Sequence, residues 1–137
     1  MPESIGPGPQ PGDSSAFKGR RGLRRLLNAT RYSMDGLAAA WRHEDAFRQE
    51  LVLAAVLLPF ALLLPLPASE KVLLIGSTLL VLIVELLNTA IEVAVDRDSV
   101  EIDGLGKRAK DYGSAAVMIA LLVAAMTWVT ILGSHYL

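Results

Sequence analysis

The stretch Glu85-Leu-Leu-Asn88-Thr-Ala-Ile-Glu92-Val-Ala-Val-Asp96 carries four polar side chains on an otherwise apolar segment. Successive spacings of three, four and four residues place these side chains on one face of a helix. An apolar run that begins near Val72 leads into the stretch, so the pattern predicts a membrane-spanning helix that ends in an acidic stripe. Ionisable residues in a membrane span generally mark function, although polar stripes can also hold helices together.

The composition indicates a membrane protein. The chain has 137 residues, of which 53% are hydrophobic, and the hydrophobic residues form long blocks. This length suits one domain. The sequence contains no cysteine, which excludes a disulfide framework and a thiolate metal or redox site.

Four helical segments are expected after a proline- and glycine-rich tail over residues 1–16. Residues 17–137 are expected to form a single domain. Its first helix, about 17–42, is basic and amphipathic, which is typical of a helix lying in the lipid headgroup plane. The apolar blocks predict three membrane spans, at about 46–66, 72–92 and 115–136.

Prolines and glycines predict where these spans bend and end. Pro59 is expected to kink the first span, and Pro65 and Pro67 to end it. The segment Ala68-Ser69-Glu70-Lys71 is expected to form a tight polar turn. In the polar connection over residues 96–111, we expect Gly104 and Gly106 to break helical structure.

The distribution of basic residues predicts the orientation in the membrane. Of the 13 lysines and arginines, eight lie before or at the very start of the first span and four lie in the second connection. Only Lys71 lies in the first turn, and none follows the third span. Because cytoplasmic loops carry an excess of lysine and arginine, the N-terminus is expected in the cytoplasm and the C-terminus outside.

This orientation gathers charged residues at the cytoplasmic face: Glu44, Glu92, Asp96, Lys110 and Asp111. Glu85 precedes Glu92 by seven residues, about 10 Å deeper along the helix axis. Shallow carboxylates suit Mg²⁺ in the company of phosphate. The deeper Glu85 could accept a proton from a lipid hydroxyl, while lysine and arginine neutralise phosphate charge. The pattern therefore indicates phosphoryl transfer at a membrane interface.

Nucleotide-binding loop signatures are missing from the sequence. The segment Gly104-Leu-Gly106-Lys107 lacks the spacing and the hydroxyl residue of a Walker A loop. No protein-kinase glycine loop is present either. If the chain binds ATP, we expect helices to supply the site.

Three segments resemble the prokaryotic diacylglycerol kinases, and the resemblance covers about Leu23 to the C-terminus. The segments are Trp41-Arg-His-Glu-Asp-Ala-Phe-Arg-Gln-Glu50, Glu85-Leu-Leu-Asn-Thr-Ala-Ile-Glu-Val-Ala-Val-Asp-Arg97 and Arg108-Ala-Lys-Asp-Tyr-Gly-Ser114. The resemblance implies an all-α membrane kinase with an N-terminal surface helix and three spans, assembled as a homotrimer. Such enzymes use Mg-ATP to convert diacylglycerol to phosphatidic acid.

The resemblance also implies roles for individual residues. Glu85 is implied as the general base supported by Asn88, and Glu44 and Glu92 as the residues that hold Mg²⁺ with ATP. Further ATP contacts are implied for Arg25, Tyr32, Glu101, Ile102, Asp103, Lys110 and Asp111. Contacts with the lipid substrate are implied for Arg25, Trp41, Ala46, Phe47, Arg48, Gln49, Glu50, Glu85 and Ser114.

Two other interpretations remain beside a diacylglycerol kinase of the bacterial inner membrane. The first is an undecaprenol kinase of the same fold, which phosphorylates a polyprenyl alcohol. The second is a small channel or regulatory subunit without enzymatic activity. A channel requires its acidic stripe to cross the membrane, whereas the third span carries no charged residue. The basic helix suits anionic lipid better than nucleic acid, so no nucleic-acid partner is expected.

Overall fold

A computed structural model of the protein describes residues 14–98 and 104–137. All regular secondary structure in these residues is α-helical. The helices are α1 (Ser14–His43), α2 (Asp45–Leu63), α3 (Ala68–Asp98) and α4 (Gly104–Tyr136). The all-α prediction is confirmed. Residues 1–13 of the predicted tail and the nucleotide contacts at Glu101, Ile102 and Asp103 lie outside the described residues. Residues 14–16, which were expected to belong to the tail, instead form the start of α1.

Helices α2, α3 and α4 are each long and apolar enough to cross a membrane, which confirms the prediction of three spans. Large apolar side chains lie exposed along them, among them Val56, Ile83 and Leu122. In water such a surface would be a liability, but lipid tails solvate it without cost. The chain is therefore a membrane protein.

The packing divides the chain into two units, one ending at Ala38 and one comprising Ala39–Leu137. In the first unit, α1 exposes apolar side chains such as Leu23, Leu26 and Leu27. The hydroxyl of Thr30 donates to the carbonyl oxygen of Leu26, four residues earlier on the same helix, at 2.9 Å. This unit thus has the basic amphipathic character expected for residues 17–42.

In the second unit, α3 is the central helix and packs against both α2 and α4. A core of buried side chains joins the three helices at one end: Ala61, Leu66, Leu74 and Ile131. Trp128 packs against this core and stacks on Phe60, with ring centroids 6.3 Å apart. These contacts fix the positions of the three helices relative to one another.

The boundary between α1 and α2 is a single residue, Glu44, in an extended conformation. Helix α2 then begins at Asp45, which confirms the expectation that the first span starts before Leu51. The helix continues through Pro59 and ends at Leu63, just before Pro65.

Two sequence expectations about helix boundaries were wrong. Residues 68–71 form the first turn of α3, and the turn lies before them because Pro65 and Pro67 cannot donate backbone hydrogen bonds. The carbonyl oxygen of Pro67 accepts from the backbone N–H groups of Glu70 and Lys71. Gly104 and Gly106 do not break the helix, because α4 already begins at Gly104.

Candidate active site

The polar stripe of α3 faces the helix bundle at its deep end and becomes exposed toward the end of the helix. Glu85 and Asn88 are buried, with 6% and 8% of their surface exposed. Glu92 is half-buried and Asp96 is exposed. The stripe predicted from the spacing therefore exists, and its deeper members are enclosed by protein.

Asn88 connects the buried and the half-buried parts of the stripe. Its Nδ2 donates to Glu92 Oε1 at 3.3 Å. Its Oδ1 is buried and has no hydrogen-bond partner among the residues that the structure describes. A buried polar atom without a partner usually costs about 1–3 kcal/mol. Asn88 thus orients the Glu92 carboxylate at a cost to stability, which is typical of a functional position.

Two further acidic residues lie in this region: Glu50 on α2 and Glu44 directly before α2. The negative charges of Glu92 and Glu44 act on Glu85, and the charge of Glu85 acts on Glu50. Glu50 Oε2 is buried and lacks a hydrogen-bond partner within residues 14–98 and 104–137. The four carboxylates Glu44, Glu50, Glu85 and Glu92 therefore lie within electrostatic range of their neighbours, and we call them the acidic cluster.

The place of Glu50 in this cluster was missed by the sequence reasoning, which named it only among lipid contacts. The available signal is its position directly before the apolar run that starts at Leu51. An acidic residue inside a membrane span is itself a functional indication. Its proximity to Glu85 depends on how α2 packs on α3, which the sequence pattern does not give.

A groove with a volume of about 330 Å³ runs from the acidic cluster along the bundle. Glu50 lines it together with apolar residues of α2, α3 and α4, and Trp128 lies among the lining residues farther along. Leu53, Leu57 and Leu121 give the groove its apolar character. A groove of this kind suits a lipid chain whose polar group meets the carboxylates.

Basic residues near the shallow end of the stripe already have partners within the chain. Lys110 Nζ donates to Asp96 Oδ1 at 2.8 Å, which joins α4 to α3. Lys107 Nζ donates to Asp111 Oδ2 at 2.7 Å across one turn of α4. Both residues predicted to contact ATP on α4, Lys110 and Asp111, are therefore held in ion pairs in this structure.

Residues 41–50, at the end of α1 and the start of α2, include both buried or hydrogen-bonded side chains and exposed ones. Phe47 is fully buried, with 1% of its surface exposed. The guanidinium of Arg48 donates to the carbonyl oxygens of Trp41 and Arg42 and pairs with Asp45. Arg48 thus links the last residues of α1 to the first turn of α2. Trp41, Ala46 and Gln49 are exposed.

The other predicted contact residues are not members of the acidic cluster. Arg25 and Tyr32 belong to the first unit and are exposed. Ser114 is exposed on α4, one residue after the buried Gly113.

The acidic residues around Glu92 bear on metal binding. Within residues 14–98 and 104–137, no group of three or more acidic or histidine side chains could hold a metal ion. Mg²⁺ is generally held by one or two carboxylates together with phosphate oxygens and waters. A hydrogen-bonded Glu92 with a second carboxylate therefore fits Mg²⁺ that arrives with a nucleotide.

The fold and the cluster together define a small three-span membrane protein whose acidic residues meet an apolar groove, as an enzyme acting on lipids requires. Comparison with known proteins identifies the family. Residues 31–132 match the family model described as prokaryotic diacylglycerol kinase. The chain belongs to this family.

Similar proteins bear the same name. A diacylglycerol kinase of Pseudomonas aeruginosa is 56% identical over 118 residues, which cover 86% of this chain and 96% of the relative. A diacylglycerol kinase of Escherichia coli K12 is 50% identical over 115 residues, 84% of this chain and 94% of the relative. One of Helicobacter pylori is 42% identical over 117 residues, 85% and 91% of the two chains. The recognised resemblance is thus confirmed, and the protein is a member of a lipid kinase family.

Proposed function

We propose that the protein transfers the γ-phosphoryl group of ATP to the free hydroxyl of 1,2-diacylglycerol, forming phosphatidic acid and ADP. The observation that carries this proposal is the buried Glu85, surrounded by further carboxylates. One of these, Glu50, lines an apolar groove among the membrane helices. A proton acceptor beside a lipid-sized groove is what phosphorylation of a lipid alcohol needs.

Glu85 is the proposed general base. It takes the proton of the lipid hydroxyl as the hydroxyl oxygen forms a bond to the γ-phosphorus and the bond from phosphorus to the ADP oxygen breaks. Burial on the bundle side of α3 holds the Glu85 carboxylate in place for this transfer. Asn88 supports the site by orienting Glu92.

Glu44 and Glu92 are the proposed ligands of Mg²⁺ that enters with ATP. When bound, Mg²⁺ would neutralise part of the charge on the phosphates. The proposed contacts with ATP are Arg25, Tyr32, Glu101, Ile102, Asp103, Lys110 and Asp111. Lys110 then has to exchange at least part of its interaction with Asp96 for phosphate, which is cheap for an ion pair this near the surface.

The lipid is proposed to enter from the bilayer, with its chain along the groove and its hydroxyl near Glu50 and Glu85. Ser114 and the start of α2 would lie near the lipid headgroup. The proposed contact residues there are Arg25, Trp41, Ala46, Phe47, Arg48, Gln49 and Glu50. Among them, Glu50 has the most direct support, because its buried oxygen still lacks a partner.

We also propose a homotrimer with active sites shared between chains. Three helices form a thin bundle, since packed helices lie only 8–10 Å apart. Such a bundle leaves little room to enclose both ATP and a lipid headgroup. Helix α1 has 30 residues and is therefore about 45 Å long, long enough to reach a neighbouring chain.

The protein is proposed to lie in the bacterial inner membrane, with the N-terminus cytoplasmic and the C-terminus periplasmic. The lysine and arginine distribution supports this orientation. Because the chain has no native cysteine, single cysteines report orientation cleanly. A cysteine in place of Ser69 should react with an impermeant thiol reagent from outside intact cells, and one in place of the exposed Leu105 should not. The reverse pattern would refute the orientation and the access of cytoplasmic ATP.

The substrate is tested by offering purified protein labelled ATP with diacylglycerol, with undecaprenol or with neither lipid. We expect Mg²⁺-dependent transfer to diacylglycerol, with kcat/KM at least about tenfold higher than for undecaprenol, or about 1.4 kcal/mol of transition-state discrimination. Equal or inverted values would assign the protein to polyprenol phosphorylation. Transfer to neither lipid would contradict a lipid kinase.

A further inference from the structure

Gly113 on α4 lies directly against the side chain of Asn88 on α3. It is one of the buried residues of α4. A β-carbon built on Gly113 would overlap Asn88 Oδ1 and lie 3.2 Å from Asn88 Cγ. The next atom it would meet, Ile91 Cδ1, is 3.6 Å away, which is an ordinary van der Waals distance. Any side chain at position 113 therefore competes with Asn88 in particular.

The carboxamide of Asn88 has one favourable orientation in this environment. The Glu92 carboxylate can only accept a hydrogen bond when ionised, so the NH₂ group of Asn88 has to face it. The carboxamide oxygen then points to the opposite side, where Gly113 lies, and remains without a partner. The hydrogen bond to Glu92 thus depends on free space at position 113.

We propose that Gly113 is a positioning residue: the absence of a side chain there keeps the Asn88 carboxamide in the orientation that holds Glu92. The proposal rests on the proposed function, in which Glu92 binds the Mg²⁺ of Mg-ATP. Hydrogen bonds to metal-binding carboxylates generally change metal affinity or activity by about 10- to 100-fold when removed. Gly113 acts on the metal through two other side chains and contacts neither metal nor substrate itself.

The test uses the full chain in detergent micelles with the variants Gly113→Ala, Asn88→Ala and their combination. Binding of Mn²⁺ in the presence of a non-hydrolysable ATP analogue is measured by electron paramagnetic resonance, which requires no turnover. We expect Gly113→Ala and Asn88→Ala each to weaken Mn²⁺ binding about 10- to 100-fold. The Mg²⁺ concentration for half-maximal kinase activity should rise to a similar extent.

The double variant separates positioning from general packing damage. The Asn88→Ala change removes the carboxamide that a methyl group at position 113 would meet, so the double variant should bind Mn²⁺ no more weakly than Asn88→Ala alone. If the two losses multiply instead, Gly113 acts independently of Asn88 and the proposal fails. Should Gly113→Ala not accumulate as folded protein, restored yield in the double variant would support the proposal, and unrestored yield would overturn it.

Gly133→Ala is the matched control on the same helix. Apart from the adjoining residues and backbone of α4 itself, no heavy atom of the described residues lies within 4 Å of a β-carbon built there. Mn²⁺ binding should therefore stay within about twofold of the wild type. A tenfold loss in this control would overturn the local explanation. Wild-type protein that binds no Mn²⁺ would refute the metal role in the proposed function, whereas wild-type binding that Gly113→Ala leaves unchanged would refute this proposal alone.

Discussion

Polar side chains are paired between helices at one end of the α2–α3–α4 bundle, whereas two buried oxygen atoms near the other end have no partner among the described residues. At the end that holds the hydrophobic core, the indole N–H of Trp128 donates to Thr78 Oγ1 at 3.0 Å, and His135 Nε2 lies 2.6 Å from Glu70 Oε2. We call this the structural end. In the acidic cluster and its neighbour Asn88, one oxygen of Glu50 and one of Asn88 are buried without a partner.

The difference indicates what each end contributes. Satisfied polar groups between membrane helices stabilise their packing, by about 0.6 kcal/mol on average and up to about 1.7 kcal/mol. Unsatisfied buried groups and neighbouring like charges destabilise the fold, and chains keep them mainly where binding or catalysis needs them. We therefore expect the structural end to serve stability and the acidic cluster to serve the proposed reaction. Mutations should separate these two roles.

The largest expected effect comes from Glu85→Gln. Loss of the general base should lower kcat about 10²- to 10⁴-fold, while Mg-ATP binding and thermal stability stay close to wild type. Kinase assays, nucleotide titration and thermal unfolding in the same detergent measure the three quantities. Burying a neutral amide instead of a carboxylate among other acids gives no reason for lower stability.

Glu92→Gln and Glu44→Gln serve as comparisons within the same cluster. Because these residues are proposed metal ligands, both variants should also raise the Mg²⁺ and ATP concentrations needed for activity. If Glu85→Gln weakens ATP binding as much as Glu92→Gln does, Glu85 and Glu92 do not divide proton transfer and metal binding as proposed.

The next prediction concerns whether each active site combines residues from two chains. Arg25→Glu and Glu92→Leu should each be inactive alone. When the two variants are mixed before assembly, random assortment around a ring pairs a normal Arg25 with a normal Glu92 of the next chain in about a quarter of the sites. Activity should return to about that fraction of the wild type. A mixture as inactive as its components would place both residues of each site in one chain.

The smallest effect is expected at the structural end, from Thr78→Val. This change removes the acceptor of the Trp128 indole at nearly constant volume and should lower the free energy of unfolding by about 1 kcal/mol. The kcat should remain within about twofold of the wild type. Any larger change should lie in the KM for diacylglycerol, because Thr78 and Trp128 also line the groove proposed for the lipid chain. Unfolding by detergent titration measures the stability change.

Thr127→Val is the matched control, because the Thr127 hydroxyl only donates to the carbonyl oxygen of Val123 within α4. Its loss should cost less than that of Thr78, since the carbonyl keeps its backbone hydrogen bond. A Thr78→Val variant that loses activity as severely as Glu85→Gln would show that the two ends do not separate stability from catalysis.

The helices, the spans and the stripe were all predictable from the sequence. Periodicity is a local property, so the spacing of Glu85, Asn88, Glu92 and Asp96 fixes their common face once the segment is helical. The apolar blocks require helices in a membrane, because backbone groups there need partners within the segment. The family resemblance in the stripe and in residues 41–50 and 108–114 could also be recognised from the sequence alone.

Local patterns were less informative about helix ends. Polar residues at 68–71 and glycines at 104 and 106 suggested a turn and breaks, yet both segments are helical. The helix preferences of these residues amount to about 1 kcal/mol or less each, and contacts elsewhere in the helix outweigh them.

The polar groups that meet across helices could be identified only once the helices were packed together. These contacts depend on the rotation and height of each helix relative to its neighbours. Examples are the approach of Glu50 to Glu85, the hydrogen bond from Trp128 to Thr78 and the contact of Gly113 with Asn88. Those quantities follow from how whole surfaces interlock. The spacing of residues within one helix does not determine the rotation or height of that helix. The contacting residues are tens of positions apart, and the turns between helices do not fix the rotation of one helix relative to the next.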